Sequence, residues 1–354
     1  MHTMPRQFRW PCGALILLAL LWSSGCSELA VRLGFRVRLE HKPVTAVAAS
    51  LRSKDGSTIS ALGPGQSAQL VLVAATQDGK QYATVGAGKG KVAFDNYTIT
   101  PTVVQVTAGG KVSLSPDPRV SDGKVAHLRI APVAHADVVA ELDIPVRYDI
   151  PFIANYSGAD GARGFDGLPG LDGSSGTDGA MGSVDPTTGL IGPQGPGGRG
   201  SDGSRGGDGG NGHDGSPGLP IHIWVRLEAA STTKPLLQVK VAGGGRDSLY
   251  LVDPSGGSLK VLDNGGAGGR GGSGGRGGRG GSGGLGSPPG MSGLDGQPGW
   301  DGRSGNAGAG GMITVSIDSA AQPYLACITW SNRSGDGAPG PAPAITIEPV
   351  AALW

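Results

Sequence analysis

Short runs in which apolar and polar residues alternate fill the stretch from about 30 to 150, and this period of two is typical of β-strands. The first run alternates Phe35, Val37 and Leu39 with charged residues. The run 70–73 is apolar throughout, as expected of a strand buried on both faces. Further strands are predicted at 81–85, 91–94, 97–100, 103–107, 111–114, 125–130 and 140–148.

Turn-forming pairs such as Asp55-Gly56, Asp78-Gly79 and Asp122-Gly123 separate these runs. Roughly seven to nine strands in such a length predict an immunoglobulin-like β-sandwich over 27–150. This stretch contains no cysteine pair, so the resemblance is to the bacterial Ig-like class.

Beyond residue 157 the pattern changes, because glycine recurs at every third position. It does so from Gly158 to Gly182, from Gly200 to Gly218 and from Gly290 to Gly311, and a Gly-Gly-x repeat fills 265–284. A three-residue period predicts an extended threefold helix of the polyproline-II type with one face that lacks Cβ atoms. The predicted fold class is therefore mainly β: an N-terminal Ig-like sandwich plus a Gly-rich polyglycine-II/polyproline-II helix module interleaved with short strands.

Two structures use such a glycine face: a collagen triple helix of three chains, and a polyglycine-II bundle in which one chain folds back repeatedly. Proline is sparse in 158–218, with five residues, whereas collagen is rich in it. Glycine also occupies positions such as Gly207 and Gly210, outside the three-residue register. Both features favour a monomeric bundle, and a collagen-like homotrimer is the alternative.

Apolar runs interrupt the glycine tracts and predict strands at 221–228, 236–241, 249–252, 259–262, 312–317, 325–330 and 344–350. The predicted order is a G-x-y tract (156–218), a β segment (219–264), a Gly-rich tract (265–311) and a C-terminal β segment (312–354). This alternation resembles, in pattern alone, the glycine-rich N-terminal domain of Obg-type GTPases and some phage tail-tip adhesins. That resemblance implies a β layer joined to a layer of glycine helices.

The N-terminus has the features of an export signal. Arg6 and Arg9 precede an apolar run at 13–22, which is too short to span a bilayer but suits a signal peptide. The small residues 23–25 and Cys26 resemble a bacterial lipobox, which implies that 1–25 are removed and that Cys26 is lipidated. Ordinary secretory cleavage at the same bond is the alternative.

The whole layout resembles uncharacterised collagen-like or glycine-rich bacterial lipoproteins. That resemblance implies a cell-envelope location with a membrane contact through the lipid anchor. Ser27, in place of Asp after the lipidated cysteine, implies the outer membrane, with the periplasmic or surface side left open. Only Cys327 remains besides Cys12 and Cys26, so no internal disulfide is predicted.

Charge gives little sign of a charged partner. The formal net charge is +1, and it falls to −1 without Arg6 and Arg9, so no nucleic-acid partner is predicted. Within the chain, 158–218 carries eight aspartates against three arginines, whereas 265–311 is net positive through Arg270, Arg276 and Arg279. We therefore expect the two tracts to pack against each other with complementary charge.

Motifs that suggest chemistry are weak. Ser273 lies in a G-x-S-x-G sequence, but the strand and helix of a nucleophile elbow are not predicted around it. The repeated Asp-Gly pairs offer oxygen atoms to calcium, with Asp208 and Asp214 as candidates, and no other cofactor or metal is expected. His222 and Trp224 share one face of a predicted strand, where packing explains them.

These patterns predict a non-enzymatic envelope lipoprotein with a structural, adhesive or surface-interaction role. The monomeric glycine-helix module would carry that role towards an envelope, matrix or glycan partner. A trimeric collagen-like surface stalk and a glycan- or calcium-binding envelope module are the alternatives.

Overall fold

The computed structural model describes Leu33 and residues 35–228 and 235–354, so Cys26 and its lipidation lie outside the described residues. The fold is mainly β, with 32% of the chain in strands and 5% in helices. It divides into two compact units, one ending at Ile150 but including Trp354, and one spanning Pro151–Leu353.

The first unit is built from antiparallel strands. A six-stranded sheet has the order β2-β1-β3-β7-β6, with β4 also paired to β3, and a three-stranded sheet has the order β5-β8-β9. The strands are β1 (Val44–Arg52), β2 (Thr58–Ile59), β3 (Ser67–Thr76), β4 (Gln81–Ala83), β5 (Tyr97–Thr102), β6 (Val104–Val106), β7 (Lys111–Leu114), β8 (Ala126–Pro132) and β9 (Ala140–Ile144).

One hydrophobic core draws on both sheets. Leu70 and Leu72 of β3 and Leu128 and Ile130 of β8 are fully buried in it. Two predicted strands are wrong. In 91–94 only Val92 forms β-bridges, and the 3-10 helix Phe94–Asn96 follows it. Around 35–39 only Val37 forms a bridge. The nine-residue strand β1, by contrast, was not predicted.

The second unit contains two sheets joined by the glycine tracts. The three-stranded sheet β10-β14-β16 is wholly parallel, and the five-stranded sheet has the order β13-β12-β11-β15-β17. The strands of the second unit are β10 (Pro151–Asn155), β11 (Ile221–Glu228), β12 (Leu236–Gly243), β13 (Arg246–Val252), β14 (Ser258–Leu262), β15 (Ile313–Ile317), β16 (Ile328–Ser331) and β17 (Ala344–Ile347). In the predicted strand 325–330, the part up to Cys327 is 3-10 helix (Gln322–Cys327).

The topology of the second unit sends the chain out of one sheet and back into the other. β10 and β14 each lead into a glycine tract, and the tracts return to β11 and β15, which pair in parallel. Buried aliphatic residues such as Ile223, Val239 and Val315 form the core of this unit. Parallel entry and exit strands therefore place the glycine tracts side by side.

Candidate functional site

Four glycine segments lie beside one another and are joined by backbone hydrogen bonds with a three-residue repeat. We name them segment 1 (158–182), segment 2 (192–218), segment 3 (264–285) and segment 4 (290–311). They contain neither α-helix nor extended strand. Every third N–H of segment 1, from Gly158 to Gly179, donates to a carbonyl of segment 3 at 2.7–2.9 Å. Each segment thus uses its glycine register to meet a neighbour.

The same repeat joins the other neighbours. Segment 2 donates to segment 1, as from Gly207 to Leu168, and on its other side to segment 4, as from Gly206 to Gln297. Segment 3 donates to segment 2, and segment 4 donates to segment 3. Segments 2 and 3 therefore each contact the other three, whereas segments 1 and 4 lie at the edges.

Glycine frequency follows these contacts. A Cβ at Gly275 in segment 3 would overlap the carbonyl oxygen of Leu168, and one at Gly274 would overlap the carbonyl oxygen of Gly299. Segment 3 needs glycine at two of every three positions because carbonyl oxygens of both segment 1 and segment 4 leave no room for a Cβ, whereas segment 2 meets segment 1 less closely and carries side chains such as Ser204 there. The edge segments need it at one position in three.

Aspartates recur along the segments and accept backbone hydrogen bonds from the next segment. Asp160 and Asp172 accept from the N–H groups of Ala267 and Arg279, both at 2.8 Å. The same contact is made by Asp166, Asp178, Asp202, Asp208, Asp214, Asp295 and Asp301. These carboxylates accept from backbone N–H groups that have no carbonyl partner in a neighbouring segment.

The expected charge pairing between the tracts is not what the structure shows. The ion pairs of the first tract join Arg163, Arg199 and Arg205 to the aspartate three residues later. Within the described residues, the side chains of Arg270 and Arg276 make no ion pair. The tracts do pack together, but their aspartates meet backbone N–H groups, so backbone hydrogen bonds set the register.

Replacing Asp160 and Asp172 together with alanine should lower the free energy of unfolding by about 1–2 kcal/mol, since two hydrogen bonds at exposed positions are lost. The Asp→Asn pair keeps the accepting oxygen and should lose less. Denaturant unfolding followed by circular dichroism measures both. Equal losses in the two variants would show that charge, not the acceptor oxygen, matters at these positions.

The two calcium candidates are separated and already engaged. Asp208 accepts from Trp300 N–H at 2.7 Å and from Arg205 at 2.6 Å, and Asp214 accepts from Asn306 N–H at 2.6 Å. The two carboxylates lie six residues apart on segment 2 and bind the N–H groups of different residues of segment 4, so the structure does not bring them together. No group of three metal-binding side chains occurs in the part of the chain that the structure describes.

Asp263 is the one buried carboxylate where the glycine segments join the sheets among the described residues. Its side chain is fully buried, Oδ1 accepts from Leu219 N–H at 2.8 Å, and Oδ2 has no partner. Gly218 and Gly311 leave the space that this carboxyl group fills. Burial raises the pKa of Asp263 to about 7. The sequence analysis did not identify Asp263. Its position between an apolar strand and a glycine repeat could have identified it as a junction residue.

A shallow groove of about 420 Å³ lies on the outer face of the five-stranded sheet. His222, Trp224, Arg246, Asp247, Met312 and Thr314 are among the residues that line it. The His222 and Trp224 rings stack with centroids 3.9 Å apart, and Lys240 pairs with Asp247 at 2.8 Å. Aromatic surface beside fixed polar groups suits a polar ligand with a flat apolar face.

His222 and Ser316 resemble a nucleophile–base pair in distance only. Nε2 of His222 lies 2.8 Å from Oγ of Ser316, and burial lowers the pKa of His222. Ser316, however, is 2% exposed and lies within the paired strand β15. Ser273, in the G-x-S-x-G sequence, lies in segment 3 between glycines, without the helix that a nucleophile elbow requires.

Comparison with known proteins adds no relative. No protein-family model matches the chain, and no curated protein matches it significantly. Among the described residues, the structure contains no helix with the length and apolar character needed to cross a membrane.

Proposed function

We propose that this chain is a non-enzymatic lipoprotein of the bacterial cell envelope, attached to the outer membrane through Cys26. In this proposal, segments 1–4 form a polyglycine-II bundle and the first unit is an Ig-like sandwich. The bundle serves as a stiff, monomeric module that presents side chains to a partner. Its role is structural or adhesive.

The hydrogen bonding between glycine segments of one chain carries this proposal. The register glycines of segments 1–4 face other segments of the same chain, as Gly167 faces Gly207 and Gly275. A collagen triple helix needs such a face for two further chains, and here it is already used. That supports a monomer over a trimeric stalk.

Within each repeat, the glycines and the other residues have different roles. Glycines hold the backbone lattice, while the intervening positions point outward and vary from Asp to Phe to Pro. Segment 1 spans about 75 Å at the rise of an extended threefold helix. A lattice of that length with free choice of outward side chains suits a spacer or a contact surface better than catalysis.

A non-enzymatic role is supported by the sites themselves. Ser316, the partner of the half-buried His222, is buried in a sheet whose strand N–H groups are already paired, so they are not free to stabilise an oxyanion. No metal-binding cluster occurs among the described residues. Export of the chain, as its leader predicts, also argues against a nucleic-acid partner.

Sedimentation velocity and circular dichroism on the chain from Ser27 onward test the proposal. We expect a monomer at all concentrations and no cooperative collagen-type transition. An elongated trimer with a collagen-type spectrum would overturn it in favour of the stalk. A monomer whose melting temperature rises with a soluble polysaccharide would favour the alternative glycan-binding role, for which the His222–Trp224 groove is the supporting feature.

A further inference from the structure

A row of exposed apolar side chains runs along segment 1. Phe165, Leu168 and Leu171 follow one another at three-residue intervals, and 75%, 78% and 78% of their surfaces are exposed. Successive members of such a row are about 9 Å apart. Exposed apolar rows bordered by polar residues are typical of interaction sites.

Segment 2 opposes this row with two glycines that the backbone lattice does not require. Facing segment 1, it carries Ser201, Ser204, Gly207, Gly210, His213 and Ser216. A Cβ at Gly207 would lie 3.1 Å from the nearest atom, the backbone nitrogen of Leu168, and one at Gly210 would meet only the Phe165 ring closely. Gly207 thus leaves a trough beside Leu168, whereas at Gly210 the exposed ring of Phe165 covers the corresponding space.

The N–H of Leu168 opens into this trough, and the N–H of Phe165 joins it when the exposed Phe165 ring turns away from Gly210. Ser204 Oγ accepts from Leu171 N–H at 2.6 Å, and Ser201 Oγ accepts from Ser174 N–H at 2.7 Å. Opposite Phe165 and Leu168, segment 2 has no side chain to accept. Within the described chain, the N–H groups of these two residues have no hydrogen-bond partner.

The charge around the trough selects the partner. The tract 158–218 is net −5: three of its aspartates pair with Arg163, Arg199 and Arg205, and the charge comes from the other five, Asp160, Asp172, Asp178, Asp185 and Asp214. A second copy of the same edge would be repelled, whereas a cationic chain would be attracted. Carbonyl oxygens spaced for the two donors, and apolar residues at the same 9 Å repeat, belong to a polyproline-II chain rather than a β-strand or α-helix.

We propose that this trough, formed by Phe165, Leu168 and Leu171 with Gly207 and Gly210, binds a cationic polyproline-II segment of a partner protein. Apolar residues at every third position of that segment lie along the row, and its carbonyls accept from Phe165 and Leu168 N–H. The inference depends on the proposed function, because the trough exists only if segments 1 and 2 pair within one chain.

The test is a titration of the purified full chain, in non-ionic detergent, with a fluorescein-labelled (Leu-Pro-Lys)5 peptide followed by anisotropy. We expect saturable binding that weakens with salt. A peptide of the same composition without the three-residue leucine repeat should bind at least about tenfold more weakly, and so should (Leu-Pro-Glu)5, since the interface loses register or charge complementarity.

Two variants locate the site. Gly207→Ser supplies an oxygen to Leu168 N–H, as Ser204 does for Leu171, and fills the trough, so peptide affinity should fall at least about tenfold with an unchanged circular dichroism spectrum. Phe165→Ser should weaken binding without filling the trough. Leu294→Ser, which changes an exposed leucine of segment 4, is the matched control and should bind like the wild type.

The proposal is overturned by absence of binding to the wild-type chain, by equal binding of the three peptides, or by full binding to Gly207→Ser. A dimer that Phe165→Ser dissociates would assign the trough to a second copy instead. Sedimentation of the same sample separates the two proposals: a trimer refutes the monomeric bundle, whereas a monomer without peptide binding refutes only the trough.

Discussion

Replacing Gly275 with alanine should lower the free energy of unfolding of the second unit by about 3 kcal/mol or more. The new methyl group would overlap the carbonyl oxygen of Leu168, and overpacking in a close-packed interior costs about 1–3 kcal/mol even where side chains can move aside. Here the obstacle is a backbone carbonyl fixed by the hydrogen bond from Gly207 N–H, and Gly275 itself is held by its bonds with Gly207 and Gly299. Thermal and denaturant unfolding followed by circular dichroism would measure the loss.

Two other alanine variants serve as controls. Gly207→Ala places its methyl group 3.1 Å from the backbone nitrogen of Leu168, a tight contact, at a position equivalent to that of Ser204, so we expect its free energy of unfolding to change by less than about 1 kcal/mol. Ser273→Ala changes an exposed position of the same segment 3 as Gly275. If Gly275→Ala unfolded like these two, segment 3 would not be enclosed by segments 1, 2 and 4.

The number of glycines in each three-residue repeat gives information about the packing that the period alone does not. The Gly-Gly-x repeat of 265–284 identifies a segment whose backbone is closely packed on two sides, but one glycine per repeat does not identify an edge, because 200–206 has that pattern and contacts three segments. The extra glycines beyond one in three lie where one segment closely approaches the backbone of another, as Gly275 approaches Leu168. Which segments are neighbours could not be predicted, because that depends on the strands that deliver them.

Strand prediction failed where apolar residues are buried without pairing. Val92 and Phe94 are both buried, but the chain around them forms bridges and a 3-10 helix rather than a ladder. The missed strand β1 is rich in alanine and serine, which are weak strand formers. Its pairing with β3 over nearly its full length decides its conformation, and single-sequence patterns do not contain that information.

The aspartates illustrate why the contacts were harder to predict than the fold. Their repetition was visible, and calcium binding or charge pairing with arginine were reasonable interpretations. The partners of the segment 1 aspartates are N–H groups a constant 107 residues away in segment 3, as for Asp160 with Ala267 and Asp172 with Arg279. That separation is fixed by the length of chain between segments 1 and 3, not by any local motif.

Asp263 should make the stability of the second unit depend on pH in the direction opposite to most carboxylates. Burial raises its pKa from 3.8 to about 7, so the folded chain binds this proton more tightly than the unfolded chain does. The stability contributed by the protonated form is fully present below about pH 4. It is lost as the pH rises towards 7, where a charge must be held at a fully buried position.

Asp263→Asn removes this titration while keeping an oxygen to accept from Leu219 N–H. We expect the variant to match the wild type near pH 4 and to exceed its free energy of unfolding by about 3–4 kcal/mol at pH 8, since each unit of pKa shift is worth about 1.4 kcal/mol. Unfolding midpoints of both proteins at pH 4, 6 and 8 measure the difference, and Asp172→Asn, at an exposed segment position, is the matched control. A difference that stays constant with pH would mean that Asp263 titrates normally, and that water reaches the unpartnered Oδ2 where the segments join the sheets.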